Sequence, residues 1–156
     1  MKTLHTEIEI AAPAERVWAN LTDGSAYGSW NPFITRLSGV LTPGSRLSIR
    51  LEPSGGSAMG FQPTVVVFNP NMELRWIGRL LMPGIFDGEH RFAIEPIGAE
   101  RVRFVQEERF TGLLVPFLAR SLNQHTRAGF ESMNAALKAR SEVLLPTGPA
   151  AMTEAR

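Results

Sequence analysis

The chain opens on an alternation: Leu4, Thr6, Ile8 and Ile10 stand between His5, Glu7 and Glu9, which predicts a strand with one buried face. From Ala11 the period changes. Residues 11–21, with Pro13 in the first turn and Val17, Trp18 and Leu21 on one side, predict a short helix ended by Gly24. The link Tyr27-Gly28-Ser29-Trp30-Asn31-Pro32 is aromatic and rich in turn formers, with room for a second helical turn.

From about residue 33 to 110 strand-like runs follow one another between turn residues, without a second helical pattern. That order predicts an α+β domain with a meandering antiparallel sheet. Leu47, Ile49 and Leu51 alternate with polar neighbours before the loop Pro53-Ser54-Gly55-Gly56-Ser57-Ala58. Phe61, Val65 and Val67 lead to the turn Asn69-Pro70-Asn71, and Leu74 and Trp76 continue on the same side. Pro63, inside that run, predicts an edge position or a bulge, because proline cannot donate to a ladder.

The next hairpin has the clearest pattern. Phe86, Gly88, His90, Phe92 and Ile94 share one face and Asp87, Glu89, Arg91 and Glu95 the other. After a turn at Pro96-Ile97-Gly98-Ala99, Val102, Phe104, Gln106, Glu108 and Phe110 alternate with Arg101, Arg103, Glu107 and Arg109. Pairing around that four-residue turn sets Ile94 opposite Val102, Phe92 opposite Phe104 and His90 opposite Gln106, with Glu108 on the diagonal. Residues from about Phe117 to Arg140 then predict an amphipathic helix of roughly 35 Å. Leu118, Leu122, His125, Gly129, Met133 and Ala136 form its apolar stripe, flanked by Phe130 and Leu137, while Arg120, Asn123, Gln124, Arg127, Glu131, Asn134 and Lys138 fall opposite. The expected domain is therefore 1–140, and 141–156 reads as a tail without a core of its own.

Composition narrows the function classes. A chain of 156 residues fits one domain with a real core. It has no cysteine, which removes disulfides, thiol chemistry and thiolate metal sites. The formal net charge of +1 is spread without a run that could follow a phosphate backbone, which argues against a nucleic-acid partner. No segment approaches the roughly 20 apolar residues of a membrane span, and the first seven residues lack the apolar stretch of a signal peptide. The expectation is a cytoplasmic protein without stable membrane insertion, monomeric or a homodimer. The 53–58 loop lacks the GKS or GxGxxG pattern of a phosphate cradle, and no cofactor is expected.

Several motifs, in this order, carry a family resemblance: Ala12-Pro13-Ala14-Glu15-Arg16-Val17-Trp18, Trp30-Asn31-Pro32, Leu74-Arg75-Trp76 with Gly78, and Gly88-Glu89-His90-Arg91-Phe92. They continue with Glu108-Arg109-Phe110-Thr111-Gly112-Leu113-Leu114-Val115-Pro116 and Phe130-Glu131-Ser132-Met133-Asn134-Ala135-Ala136-Leu137-Lys138. Over residues 2 to about 140 the chain resembles the START-like, or SRPBCC, superfamily, and within it the bacterial polyketide cyclase/dehydrase-like branch. The resemblance implies a helix-grip fold: a curved antiparallel sheet of about seven strands around a long C-terminal helix, with short helices after the first strand. It also implies a cavity between sheet and helix for lipids, polyketides or aromatic compounds, with catalysis in only some branches.

Four inward positions interrupt an apolar lining: His90, Gln106, Glu108 and His125. His90, Gln106 and Glu108 form one polar cluster that anchors a carbonyl or hydroxyl of a ligand, or supplies an acid–base pair, or satisfies itself structurally. His90 and Glu108 are the catalytic candidates. The expected lining is Trp30, Phe61, Val65, Val67, Trp76, His90, Phe92, Phe104, Gln106, Glu108, Phe117, Leu122, His125 and Gly129. Gly129 reads either as close helix-on-sheet packing or as space for ligand. His125 with His90 and Glu108 would make a two-histidine, one-carboxylate set, but no ligand spacing supports a metal. The apolar segments 80–86 and 113–117 are expected to rim the cavity mouth. The functions open at this stage are a binding or carrier domain for a hydrophobic small molecule, a cyclase- or dehydratase-like enzyme, and a co-chaperone-like interaction module.

Overall fold

The computed structural model describes residues 1–80 and 82–143, with the side chains of residues 80 and 118–124 left out. The opening alternation forms β1 (Lys2–Ile10), with Leu4, Thr6 and Ile10 buried. Pro13 sits in extended conformation just before α1 (Ala14–Thr22), whose Val17, Trp18 and Leu21 turn inward as their spacing requires. A 3-10 turn over Gly24–Ala26 leads into the single-turn α2 (Tyr27–Trp30). Tyr27 fixes this corner by donating its hydroxyl to the Leu21 carbonyl at 2.6 Å, and its burial pushes the phenol well above its ordinary range.

Among the described residues there are eight strands in two sheets, where about seven were expected: β2 (Ile34–Ser38), β3 (Ser48–Leu51), β4 (Met59–Phe61), β5 (Thr64–Asn69), β6 (Glu73–Leu80), β7 (Phe86–Gly98) and β8 (Arg101–Thr111) follow β1. Five strands run β1-β8-β7-β6-β5 and three run β2-β3-β4. Pro63 stands at the break between the sheets, where it has no amide to give to a neighbour. The sheets stay joined through an isolated bridge, Arg46 with Thr64, and through Leu47 N donating to Pro63 O at 2.8 Å.

Two local irregularities change the expected register. In β5 a bulge between Val65 and Val67 puts Val67 opposite Arg75 and Phe68 opposite Leu74. Phe68 thereby takes the inward place expected of Val67 and packs at 5.2 Å, ring centroid to centroid, on Trp18. In the β7–β8 hairpin a bulge at Pro96/Gly98 lets the ladder continue past Pro96, so the turn is at Ala99-Glu100. Ile94 then pairs with Phe104, Phe92 with Gln106 and His90 with Glu108. The slip is two residues, an even number, so every side chain keeps its predicted face.

The long helix α3 (Val115–Glu142) lies on the five-stranded sheet with Phe130, Met133 and Leu137 fully buried. It runs two residues beyond the expected domain end at Arg140, and Ser141 is buried against Asn20. Residues 144–156 of the expected tail fall outside the described residues. Asn134, assigned by periodicity to the polar face, is 2% exposed. Among the described residues no helix is long and apolar enough to cross a membrane.

Candidate functional site

The pleat of three neighbouring strands builds the site. Trp76 of β6 pairs with His90 of β7, which pairs with Glu108 of β8, so the three side chains stand abreast on the face turned toward the interior. His90 is 5% exposed, and its Nδ1 lies 3.3 Å from Glu108 Oε2. Its Nε2 lies 3.1 Å from Gln106 Oε1. Phe92 stacks on the imidazole at 4.1 Å, and Trp76 and Phe130 close its other sides at 5.6 and 4.8 Å. The ring is therefore packed among three aromatic side chains and bonded at Nε2, with Nδ1 turned to Glu108.

Glycine makes room beside it. A Cβ at Gly88 would lie 2.7 Å from Glu108 Oε1, so only bare backbone lets the carboxylate fold over β7. Gly78, paired with Gly88 across β6 and β7, would meet only the Gly88 carbonyl oxygen, at 3.9 Å. The two glycines leave a depression in the sheet floor. Above it is a cavity of about 320 Å³, walled by Phe33, Ile34, Ile49, Leu51, Phe61, Trp76, Phe86 and Phe110. Arg79, His90, Glu108, His125, Thr126 and Ser57 supply the polar lining. The 53–57 loop contributes Pro53, Gly56 and Ser57, and His125 ties it to α3 through Nδ1 and the Ser54 carbonyl oxygen at 3.1 Å.

Of the predicted lining, Phe61, Trp76, His90, Glu108 and His125 face this cavity. Val65, Phe92, Phe104 and Gln106 lie fully buried outside it. Gln106 is covered because α3 crosses there and bonds it. Val67 is turned away by the β5 bulge. Trp30 packs edge-on to Tyr27 at 5.1 Å, outside the cavity lining. Phe117 is 83% exposed, and the Leu122 side chain is outside the described residues. Gly129 serves packing: a Cβ there would lie 2.3 Å from the Phe33 ring. Of the segments expected at the mouth, Phe86 lines the cavity, whereas Leu113 and Phe117 project outward and are exposed.

Phe33 and Arg79 line the cavity without having been singled out, and Gly78, named only in a family motif, lines it as well. Asn134 was missed too, although the 130, 134, 137, 141 spacing places it on the same helical arc as Phe130 and Leu137. His125 does not join His90 and Glu108, and among the described residues no three His, Asp or Glu side chains are grouped to hold a metal.

The outer face of the same strands is an ion-pair lattice. Glu73 binds Arg75 at 2.6 Å and Arg91 at 3.1 Å, and Glu107 binds Arg91 at 2.8 Å and His5 at 3.2 Å. Hydrogen bonds to Glu7 and Glu107 hold the His5 imidazole above its ordinary pKa. Burial pushes the Glu107 carboxyl up, but the His5 and Arg91 hydrogen bonds outweigh it and the net shift is downward.

A curved antiparallel sheet that grips a long terminal helix over a mainly apolar cavity is the START-like helix-grip architecture. The chain belongs to the polyketide cyclase/dehydrase and lipid transport family, whose model matches residues 1–142. No curated protein matches it in sequence. Among solved structures, a START superfamily protein of Mycobacterium smegmatis superposes with TM-score 0.71 at 23% identity, over 90% of this chain and 97% of that one. The ZhuI aromatase/cyclase of Streptomyces sp. R1128 gives 0.73 at 17% identity, over 90% and 93%. A Thermobifida fusca protein gives 0.70 at 24% identity, also over 90% and 93%. At these identities the likeness shows the fold.

Proposed function

We propose that this chain takes up a hydrophobic small molecule, such as an aromatic compound, polyketide or lipid, in the cavity between sheet and terminal helix. The observation that carries the reading is the open space itself: about 320 Å³ stays unfilled among aromatic and aliphatic walls, within the range of small-molecule pockets. An ordinary core closes such a space, because voids forfeit dispersion contacts. His90 and Glu108 give the guest its polar anchor. The guest's apolar body lies against Phe33, Phe61 and Trp76.

The test uses N-phenyl-1-naphthylamine, a neutral probe that fluoresces when it leaves water. Titration of the protein should give saturable enhancement at one site per chain. Gly78→Leu grows a side chain toward the cavity with its Cβ in no more than ordinary contact, 3.9 Å, with the Gly88 carbonyl oxygen, so it should weaken uptake at least about tenfold while the melting temperature stays nearly unchanged. Absence of enhancement in the wild type, or equal affinity in Gly78→Leu, would overturn the reading.

One observation favours a second reading, a cyclase- or dehydratase-like enzyme: the 3.3 Å approach of His90 Nδ1 to Glu108 Oε2 within the cavity lining provides an acid–base pair. Turnover of a polyketide-like substrate that disappears in a folded His90→Ala variant would distinguish catalysis from carriage.

A further inference from the structure

Four buried polar side chains run from the cavity floor into the core. Thr6 of β1, Asn134 of α3 and Gln106 of β8 stand in line behind His90, and all four residues are between 0 and 6% exposed. Asn134 Nδ2 donates to Thr6 Oγ1 at 3.1 Å, and Gln106 Nε2 donates to Asn134 Oδ1 at 2.6 Å. Gln106 Oε1 then faces His90 Nε2 at 3.1 Å. The direction of this chain is set where it touches the backbone. Gln106 Nε2 also reaches the Phe130 carbonyl oxygen at 3.4 Å, and a carbonyl oxygen can only accept. Turning the Gln106 amide over would set two oxygens against each other there, so its nitrogen faces α3 and its oxygen faces the ring. His90 Nε2 must then carry a hydrogen.

We propose that Gln106, held by Asn134 and the Phe130 carbonyl, is a positioning residue that locks His90 as the Nε2–H tautomer and makes Nδ1 the basic nitrogen of the cavity. Without that lock the ring would adopt the other tautomer, because the Glu108 carboxylate beside Nδ1 is an acceptor and draws the ring hydrogen to itself. The lock instead leaves the Nδ1 lone pair free next to Glu108. A proton given up by a guest's hydroxyl goes to Nδ1, and the electron pair of the broken O–H bond stays on the guest's oxygen. The imidazolium formed has an acceptor for each N–H, Gln106 at Nε2 and Glu108 at Nδ1. The use of this device rests on the cavity being a guest site, but the tautomer belongs to the empty protein, so the two readings fail separately.

The test is a long-range nitrogen–proton correlation spectrum of the ¹⁵N-labelled, ligand-free protein, recorded as a pH series in the wild type and in Glu108→Gln, where an amide replaces the neighbouring carboxylate. The neutral His90 ring should show a protonated Nε2 and a bare Nδ1 in both, by about tenfold in Glu108→Gln, where the preference of one buried hydrogen bond is unopposed, and by less in the wild type, where the carboxylate pulls against it. Gln106→Met should bring that ratio below one. A neutral ring protonated on Nδ1 in the folded wild type would overturn the proposal whether or not the Gln106 variants fold. An unchanged ratio in a folded Gln106→Met would overturn it as well.

Discussion

Single atoms decide how much of the interior stays open. Phe33 is 4% exposed, meets Phe130 edge-on at 5.9 Å and forms part of the cavity wall. It fits because Gly129 offers no side chain. Gly129→Ala would raise helix propensity by about 1 kcal/mol, yet overpacking against a ring with nowhere to go costs about 1–3 kcal/mol. The ring cannot yield as a flexible chain end would, so the clash wins. We expect a net loss of up to about 2 kcal/mol, a fall of up to roughly 4–8 °C in melting temperature, and weaker probe uptake as Phe33 shifts toward the cavity. A thermal melt reads the first effect and the naphthylamine titration the second. A variant as stable as wild type would show that helix propensity dominates at this position.

At the level of strands and helices, the sequence displayed faces clearly and register poorly. Parity depends only on alternation, so His90, Gln106 and Glu108 were legible as one inward cluster even though the hairpin slipped by two residues. Depth was not legible: Phe92, Phe104 and Gln106 share that face with His90 but lie fully buried outside the cavity, Gln106 under α3, and nothing in a strand's own pattern records where a helix will cross it. The bulges at Val65/Val67 and Pro96/Gly98 left only a weak trace, a nearby proline. Asn134 escaped because an asparagine on an apolar arc looks like a solvent residue until its buried partners are known. The end of α3 shows the same limit. Asn20 Nδ2 donates to Ser141 Oγ at 3.1 Å, Ala11 N donates to Glu142 Oε1 at 2.8 Å, and Lys138 Nζ donates to Glu9 O at 2.9 Å. These bonds tie α3 to α1 and β1, so a chain ending at Arg140 should be less stable than one ending at Val143 by about 1–3 kcal/mol, the scale of losing partnered, partly buried groups. Equal urea midpoints for the two would show that the last two residues of the helix only decorate it.

Across the whole molecule, titratable contacts on the outer surface set a window of stability rather than a single slope. Glu107 and Glu142 have carboxyl pKa values held below their ordinary 4.5, the latter by Lys138 and the Ala11 amide. Their contributions are present above about pH 4.5 and disappear as the pH falls through the lowered folded-state values. His5 has the opposite sign. Its folded-state pKa lies above 6.5, so its contribution is complete below about pH 6.5 and is lost as the pH rises through the raised value. Between these limits both sets of contacts are charged and made, and the urea midpoint should be highest there. Glu107 takes part in both arms, because it binds His5 through one oxygen and Arg91 through the other. Glu107→Gln should therefore flatten the acid and the alkaline limb together, whereas Glu142→Gln should flatten the acid limb alone. Every one of these groups is partly exposed, so raised salt should shrink both limbs in proportion. Urea midpoints measured from about pH 3 to 8 at low and high salt check the scheme. An alkaline limb that survives Glu107→Gln unchanged would show that Glu107 has no part in it and trace the loss to the His5–Glu7 contact or to another group.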